Sequence, residues 1–304
     1  MQARGAGVAL GVLSAVTFGT SGSLAEALEA GGWSPGAAVM ARIGIAALVL
    51  TPPAIRQMRG RWRLARAGLP AIGGYGLLAI AAPQVCYFNA VEHVTVGIAL
   101  LLEYSGLLFV VIWMWLRHGQ RPTRLTAVGI ALAVVGLVLV LNLTGAQRVA
   151  PAGIAWGLGA GVGLACYFVI SAHTHALLPP LAMAWSGLAV SAVALTAAGL
   201  VGALPMRANT AAADFNGHRV PWWAPVLGLS LVAAVVAYTA GIGAARRLGA
   251  RLASFVGLLE VLAAVLFAWA LLGQRPTVTQ GIGGIVVLAG IVAVRAGEPD
   301  RAPA

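Results

Sequence analysis

Residues Gly119-Gln120-Arg121-Pro122-Thr123 recur as Gly273-Gln274-Arg275-Pro276-Thr277. Upstream of each copy stands Leu-Leu-Glu, at Leu101-Leu102-Glu103 and at Leu258-Leu259-Glu260, each followed by an apolar run. The distance between the two elements differs by three residues, so the copies have diverged. A fainter echo links Gly7-Val8-Ala9-Leu10-Gly11 with Gly153-Ile154-Ala155-Trp156-Gly157. The meaning of this pair depends on what surrounds it. Of the 304 residues, 60% are hydrophobic and only 9% charged, with a mean hydropathy of +0.93. A soluble domain of this size needs a much larger charged share to cover its surface. The apolar residues come in runs close to the length of about 20 residues that crosses hydrocarbon as a helix. The 40 glycines fit close helix packing in a membrane.

Runs bounded by Gly, Pro and Arg give ten spans, at roughly 6–28, 35–55, 68–90, 95–116, 125–143, 151–172, 180–204, 221–245, 252–272 and 278–294. Pro35, Pro151, Pro180 and Pro221 fall at span starts, where a missing N–H costs nothing. The segment 206–220, with Asn209, Asp214, Asn216 and Gly217, is the best candidate for a long stretch without structure. The two GQRPT copies follow spans four and nine. Five is odd, so a second copy must enter the membrane upside down. The expected fold is an all-α membrane protein of ten transmembrane helices, built as two inverted five-helix repeats over 1–147 and 148–304 and forming one transport unit. Inverted repeats point to secondary transport, with a site at mid-depth between the halves.

Net charge is +11 and every basic residue is Arg. The arginines lie between spans, which argues for membrane orientation and against nucleic-acid binding. Assigning alternate gaps to opposite sides puts fourteen on one side and four on the other. The rich side holds Arg4, the Arg56–Arg66 group, Arg117, Arg121, Arg124, Arg246, Arg247, Arg251, Arg295 and Arg301; the poor side holds Arg148, Arg207, Arg219 and Arg275. The bias places both termini in the cytoplasm of a multi-pass protein of the cell's inner (plasma) membrane. The start Met1-Gln2-Ala3-Arg4 reads as uncleaved. Cys86 and Cys166 both lie within spans, against a disulfide framework.

Ten spans in two halves, with a short Gly-Gln-Arg-Pro turn after spans four and nine, resemble the drug/metabolite transporter superfamily, and within it the EamA-type exporters. The likeness covers nearly the whole chain. Val96-Gly97-Ile98-Ala99-Leu100-Leu101-Leu102-Glu103-Tyr104-Ser105-Gly106 is similar to the matching segment of its amino-acid exporters. Arg42 matches an Arg common in the family's second helix, and Phe18-Gly19 takes the place of its Trp-Gly. The chain departs at Glu103-Tyr104 and Glu260-Val261, where the family often has Glu-Pro, so a helix break there is not expected from proline. The resemblance implies efflux of small metabolites, amino acids leading.

An ionisable side chain at membrane depth is a functional candidate by default, because burying it is costly. Arg42, Glu103 and Glu260 qualify. The two glutamates hold equivalent places in the repeat; each is read as a contact for a substrate amine or a proton carrier, against a structural role tying helices together. Arg42 stands seven residues past Pro35, so snorkelling toward the external surface is its first reading and carboxylate binding its second. Glu26 reads as a solvated rim residue. Span three carries Pro83, a helix kink, and Gln84 and Tyr87, which with Gly73, Gly76 and Ile80 form a small or polar stripe fit for a cavity wall or a packing face. Asn89, Tyr104, Tyr167, Trp185 and Tyr238 complete the substrate-binding candidates.

Other motifs carry less. Gly157-Leu158-Gly159-Ala160-Gly161-Val162-Gly163 lacks the context of a dinucleotide loop, and Gly153, Gly157 and Gly161 suit helix contact. His173-Thr174-His175 has no further ligands for a metal. Asn142-Leu143-Thr144 is a sequon too near the membrane for a glycan. No GxSxG, HExxH or P-loop is present, so no catalytic residue, cofactor or metal is assigned and no enzyme is expected. The functional expectation is a secondary transporter exporting amino acids, leaning to aromatic or bulky apolar ones, by alternating access. Export of cationic drugs or quaternary ammonium compounds is the alternative, ahead of a membrane-embedded enzyme or a nucleotide-sugar carrier. Expected partners are the small-molecule substrate and the lipid bilayer, with no nucleic acid; a homodimer is left open.

Overall fold

A computed structural model describes residues 2–60, 62–143, 150–173 and 178–297. Arg61, Thr144, Arg148, Thr174, His175 and Arg301 lie outside the described residues. The chain is overwhelmingly helical. Among the described residues eight helical segments are long and apolar enough to cross a membrane, and two shorter apolar helices, Arg124–Val140 and Leu259–Leu272, accompany them. One long segment, Trp223–Gly257, is two helices joined at Gly249, whose φ of 78° and ψ of 162° lie outside any helix. Only glycine enters that region without strain.

Ten helices result. They are α1 (Gln2–Ala30), α2 (Pro35–Met58), α3 (Leu69–Val91), α4 (Val96–His118), α5 (Arg124–Val140), α6 (Pro151–His173), α7 (Pro180–Leu200), α8 (223–248), α9 (250–272) and α10 (Val278–Gly297). A short helix, Trp62–Ala67, precedes α3. The ten follow the expected spans, with α7 ending four residues short of 204. Residues 206–220 are not structureless: Ala213–Phe215 pairs antiparallel with His218–Val220. Asn216 and Gly217, at φ 54° and 88°, make the tight turn that such a hairpin favours.

The GQRPT copies act as helix punctuation. Gly119 and Gly273 sit in the left-handed region, at φ 65° and 72°. Gly119 N–H donates to Trp115 O and Gln120 N–H to Met114 O; Gly273 and Gln274 repeat this with Trp269 O and Ala268 O. These are glycine caps that satisfy the last carbonyls of α4 and α9. Proline then blocks continuation, and threonine caps the next helix. Thr123 Oγ1 accepts from Thr126 N–H at 3.1 Å. Thr277 and Gln280 form a reciprocal capping box: Thr277 N–H donates to Gln280 Oε1 at 2.9 Å, and Gln280 N–H to Thr277 Oγ1 at 3.2 Å.

Packing pairs distant helices. α5 lies along α10, α2 against α7, α1 against α8 and α9, and α6 against α3 and α4. The α5–α10 pair is antiparallel and close: a Cβ on Gly129 would lie 2.7 Å from Gly290 O, and one on Gly136 2.9 Å from Gly283 O. At one end Gly7 meets Arg247 and Leu248, Arg251 Nη2 donates to Gln120 O at 2.6 Å, and Thr123 Oγ1 donates to Gly297 O. The opposite end is tied across residues 31–36 and 203–212. There Trp33 Nε1 donates to Asn209 O at 2.6 Å and Ser34 N–H to Arg207 O at 2.8 Å. Glu26, exposed as expected, accepts from Gln274 Nε2 at 2.7 Å. The outer faces are apolar, with Leu48, Leu116, Val193, Val278 and Ile285 standing outward, as a lipid-facing surface requires.

Candidate functional site

Two helices depart from α geometry in midspan. α3 passes through a π-helical segment at Tyr75–Ala81, and α8 through one at Gly228–Val236. Such segments leave a carbonyl out of the regular ladder and occur often at functional sites. In α3 the segment runs into Pro83, which has no N–H to offer. In α8 Ala237 N–H reaches Val232 O and Ala234 O, passing over Ala233 O. That carbonyl accepts from Arg42 Nη2 at 2.6 Å, and Ser14 Oγ donates to Ala237 O one turn on.

The placement of Arg42 corrects the snorkelling expectation. The side chain is buried, 9% exposed, and turns into the bundle instead of out to the surface. Its guanidinium lies 5.4 Å from the centre of the Phe18 ring, within cation–π range. The π segment supplies the physical reason. A spare carbonyl at depth offers a charge-assisted hydrogen bond that lipid-facing backbone cannot, which offsets desolvation of the guanidinium. Arg42 Nε finds no partner among the described residues.

Around Arg42 opens a cavity of about 140 Å³. Of the residues singled out from sequence, Arg42, Pro83, Gln84, Glu103, Tyr104, Tyr167, Tyr238 and Glu260 line it together. Three do not. Trp185 spans α7 to α2, its Nε1 donating to Thr51 Oγ1 at 2.9 Å. Asn89 turns back on its own helix to Val85 O at 2.8 Å. Tyr87 packs edge-on against Phe88, ring centres 5.8 Å apart, in a small cluster with Ala90, Val94 and Ala99.

The aromatic wall was only partly visible in sequence. Tyr238 meets Phe18 at 5.0 Å and Tyr167 at 5.8 Å, both edge-on, and Phe168 packs on Tyr167 at 4.9 Å. Ser14, Phe18, Phe168, Gly241 and Gly257 are among the lining residues that sequence reasoning did not assign. A lone Ser or Phe in an apolar helix carries no distinguishing signal, although Ser14 and Phe18 share one face of α1 by their spacing of four.

The glutamates reach this cavity beside tightened helical turns. α4 passes a turn residue at Ser105 and α9 one at Leu258, each two residues from its Glu and each still in right-handed helical backbone, at φ −59° with ψ −17° and −20°. Without the family's proline, neither helix breaks there. In α4 Ser105 N–H is shared between Leu101 O and Leu102 O, and its Oγ donates to Leu102 O. This local hydroxyl–carbonyl competition is a known way for Ser to bend a helix. Small residues let the neighbours close in. Gly19 of α1 leaves room for Ala263, where a Cβ would lie 2.6 Å away, and for Glu260 O. On α6, Gly153, Gly157 and Gly161 seat Val94, Leu102 and the Leu102 carbonyl, the contact role read from their spacing, and Gly163 seats the Pro83 ring.

The site therefore sets one guanidinium and two carboxylates into an aromatic-walled cavity contributed by α1, α2, α3, α4, α6, α8 and α9. No group of three or more His, Cys, Asp or Glu able to hold a metal occurs among the described residues. A cavity that joins charged groups to aromatic walls suits a small amphipathic solute.

The comparisons agree with this class of protein. A model of the EamA-like transporter family matches residues 5–142 and 151–296, nearly the whole chain. The chain belongs to the EamA-like transporter family. It is 26% identical over 206 residues, 68% of its length and 69% of the relative's, to an uncharacterized transporter of Archaeoglobus fulgidus. A solved structure described only as a crystal structure of a protein superposes with a TM-score of 0.74 at 17% identity, covering 95% of this chain and 97% of that one; the likeness is one of fold. This chain is thus a multi-pass helical membrane protein of a family that transports small molecules.

Proposed function

We propose that the protein exports amino acids, aromatic or bulky apolar ones foremost, by alternating access around the Arg42–Glu103–Glu260 cavity. The observation that carries this reading is the pairing of opposite charges in one aromatic-walled space. An α-amino acid presents a carboxylate and an ammonium a few ångströms apart. Arg42 offers the carboxylate a guanidinium whose Nε is unused by the protein, and Glu103 and Glu260 face the ammonium. Phe18, Tyr167 and Tyr238 offer apolar and π surface to the side chain. Arg42 is bonded to the π segment of α8, and each glutamate stands two residues from a tight turn of its helix.

The two halves, 1–147 and 148–304, are read as inverted copies of one five-helix unit that rock about the cavity. Matched glycine caps, matched tight turns in α4 and α9, matched π segments in α3 and α8, and two separate family matches support this. Both termini are assigned to the cytoplasm of the inner membrane, on the arginine bias. The catalytic alternative would want paired acid–base groups near one interface, with substrate access from the bilayer. A second transport reading, export of cationic drugs, draws on the same two carboxylates and aromatic rings, which also suit a quaternary ammonium group.

Purified protein in proteoliposomes, screened with the twenty labelled amino acids and a set of cationic dyes, separates these readings. Saturable flux of amino acids that plain amines and dyes fail to inhibit is the expected result. Saturable dye flux alone would move the assignment to drug export, and no saturable amino-acid flux would end the present one.

A further inference from the structure

A second pocket, of about 180 Å³, lies beside the first between α4, α5 and α9. Its walls are hydrocarbon throughout except at Tyr104 and Ser105. The Ser105 hydroxyl is already committed to Leu102 O at 2.5 Å, so it offers a ligand little. Tyr104 lines this pocket and the charged cavity alike. Leu107, Ala133, Leu137, Phe255 and Leu258 form a fully buried inner wall, while Val134 at the outer side is 41% exposed. Ser105 and Leu258, the tight-turn residues of α4 and α9, both border the pocket.

We propose that this pocket is the side-chain subsite for the transported solute, and that Tyr104 sets how large an apolar group passes from the charged cavity into it. The assignment rests on the amino-acid reading above. Head-group recognition and side-chain recognition are then divided between two adjoining spaces: the first holds all the charge, the second none. A pocket walled almost wholly by hydrocarbon discriminates by size, and each methylene it gains or loses is worth roughly 10–200-fold in selectivity. The rival occupant is a lipid acyl chain entering from the exposed Val134 side.

The test is the ratio of tryptophan to alanine uptake in proteoliposomes, for wild type, Val134→Phe and Leu137→Ala. Val134 is half-exposed, so Phe is accommodated there without disturbing the buried wall, and it fills the pocket from outside. Leu137→Ala enlarges the pocket from inside. The proposal expects the ratio to fall about tenfold in Val134→Phe and to rise in Leu137→Ala. A ratio unchanged in whichever variant folds would overturn it. So would an unchanged ratio with less phospholipid retained by Val134→Phe on purification, which would give the pocket to an acyl chain. Failure of the amino-acid reading itself is distinguishable, because wild type would then carry neither tryptophan nor alanine.

Discussion

Seven residues past its opening proline, α2 carries Arg42; seven residues past its own, α7 carries Gly187. The two helices pack against each other, and each also packs on a π segment, α2 on that of α8 and α7 on that of α3. The use made of the matched position differs. Arg42 reaches across to Ala233 O and puts a charge at the cavity. Gly187 puts nothing there. A Cβ on it would collide with the Tyr75 ring, so its role is to admit a fully buried tyrosine from α3. Similar scaffolding thus supports an asymmetric site: one side of the bundle contributes a cation, and the other contributes packing. A solute with a carboxylate at one end only suits such an arrangement.

The comparison breaks most readily at Arg42. Arg42→Ala removes a charge-assisted contact worth about 1.5–3 kcal/mol, so amino-acid affinity should fall roughly 10–100-fold in equilibrium binding. Arg42→Lys should recover little, because a single ammonium cannot serve Ala233 O and a carboxylate in the geometry of a guanidinium fork. Equal affinity in all three proteins would remove Arg42 from the site.

Overpacking the opposite side should act on stability instead. Gly187→Ala forces a methyl group into the Tyr75 ring, at a cost of about 1–3 kcal/mol. It should lower the thermal midpoint in detergent, and Tyr75→Leu should restore much of the loss. A midpoint unmoved by Gly187→Ala would contradict the close approach.

The carboxylates sharpen the matter of coupling. With Glu103→Gln and Glu260→Gln made separately, the pH dependence of flux should flatten in at least one variant if a glutamate carries a proton during transport. Flux independent of pH in wild type and both variants would leave the pair to substrate binding alone. The smallest effect is expected at the matched caps. Thr123→Ala and Thr277→Ala should each cost about 1 kcal/mol of stability, read in the same thermal assay, with transport by the folded fraction unchanged.

Much of the fold was legible in the sequence because hydrophobic run length and proline, glycine and arginine punctuation act locally. GQRPT is the clearest case. Its glycine ends one helix, its proline prevents continuation, and its threonine starts the next, all within five residues. The site was legible to the extent that charge at membrane depth is rare, which picked out Arg42, Glu103 and Glu260. What sequence could not supply was long-range. Arg42 turns inward because a carbonyl freed nearly two hundred residues away awaits it. The π segment in α8 lacks the in-phase proline that marked the one in α3. Trp185 looked like a cavity residue, yet Thr51 on α2 provides its partner. The tight turn at Ser105 arises without proline, through local hydrogen bonding.

The central claim is that one cavity recognises carboxylate and ammonium together. Counterflow of labelled phenylalanine in proteoliposomes, competed in turn by unlabelled phenylalanine, by its decarboxylated amine and by its deaminated acid, tests it most directly. Inhibition by the intact amino acid alone, abolished in Arg42→Ala, is the predicted result. Equal inhibition by the amine, or counterflow undiminished in Arg42→Ala, would contradict it.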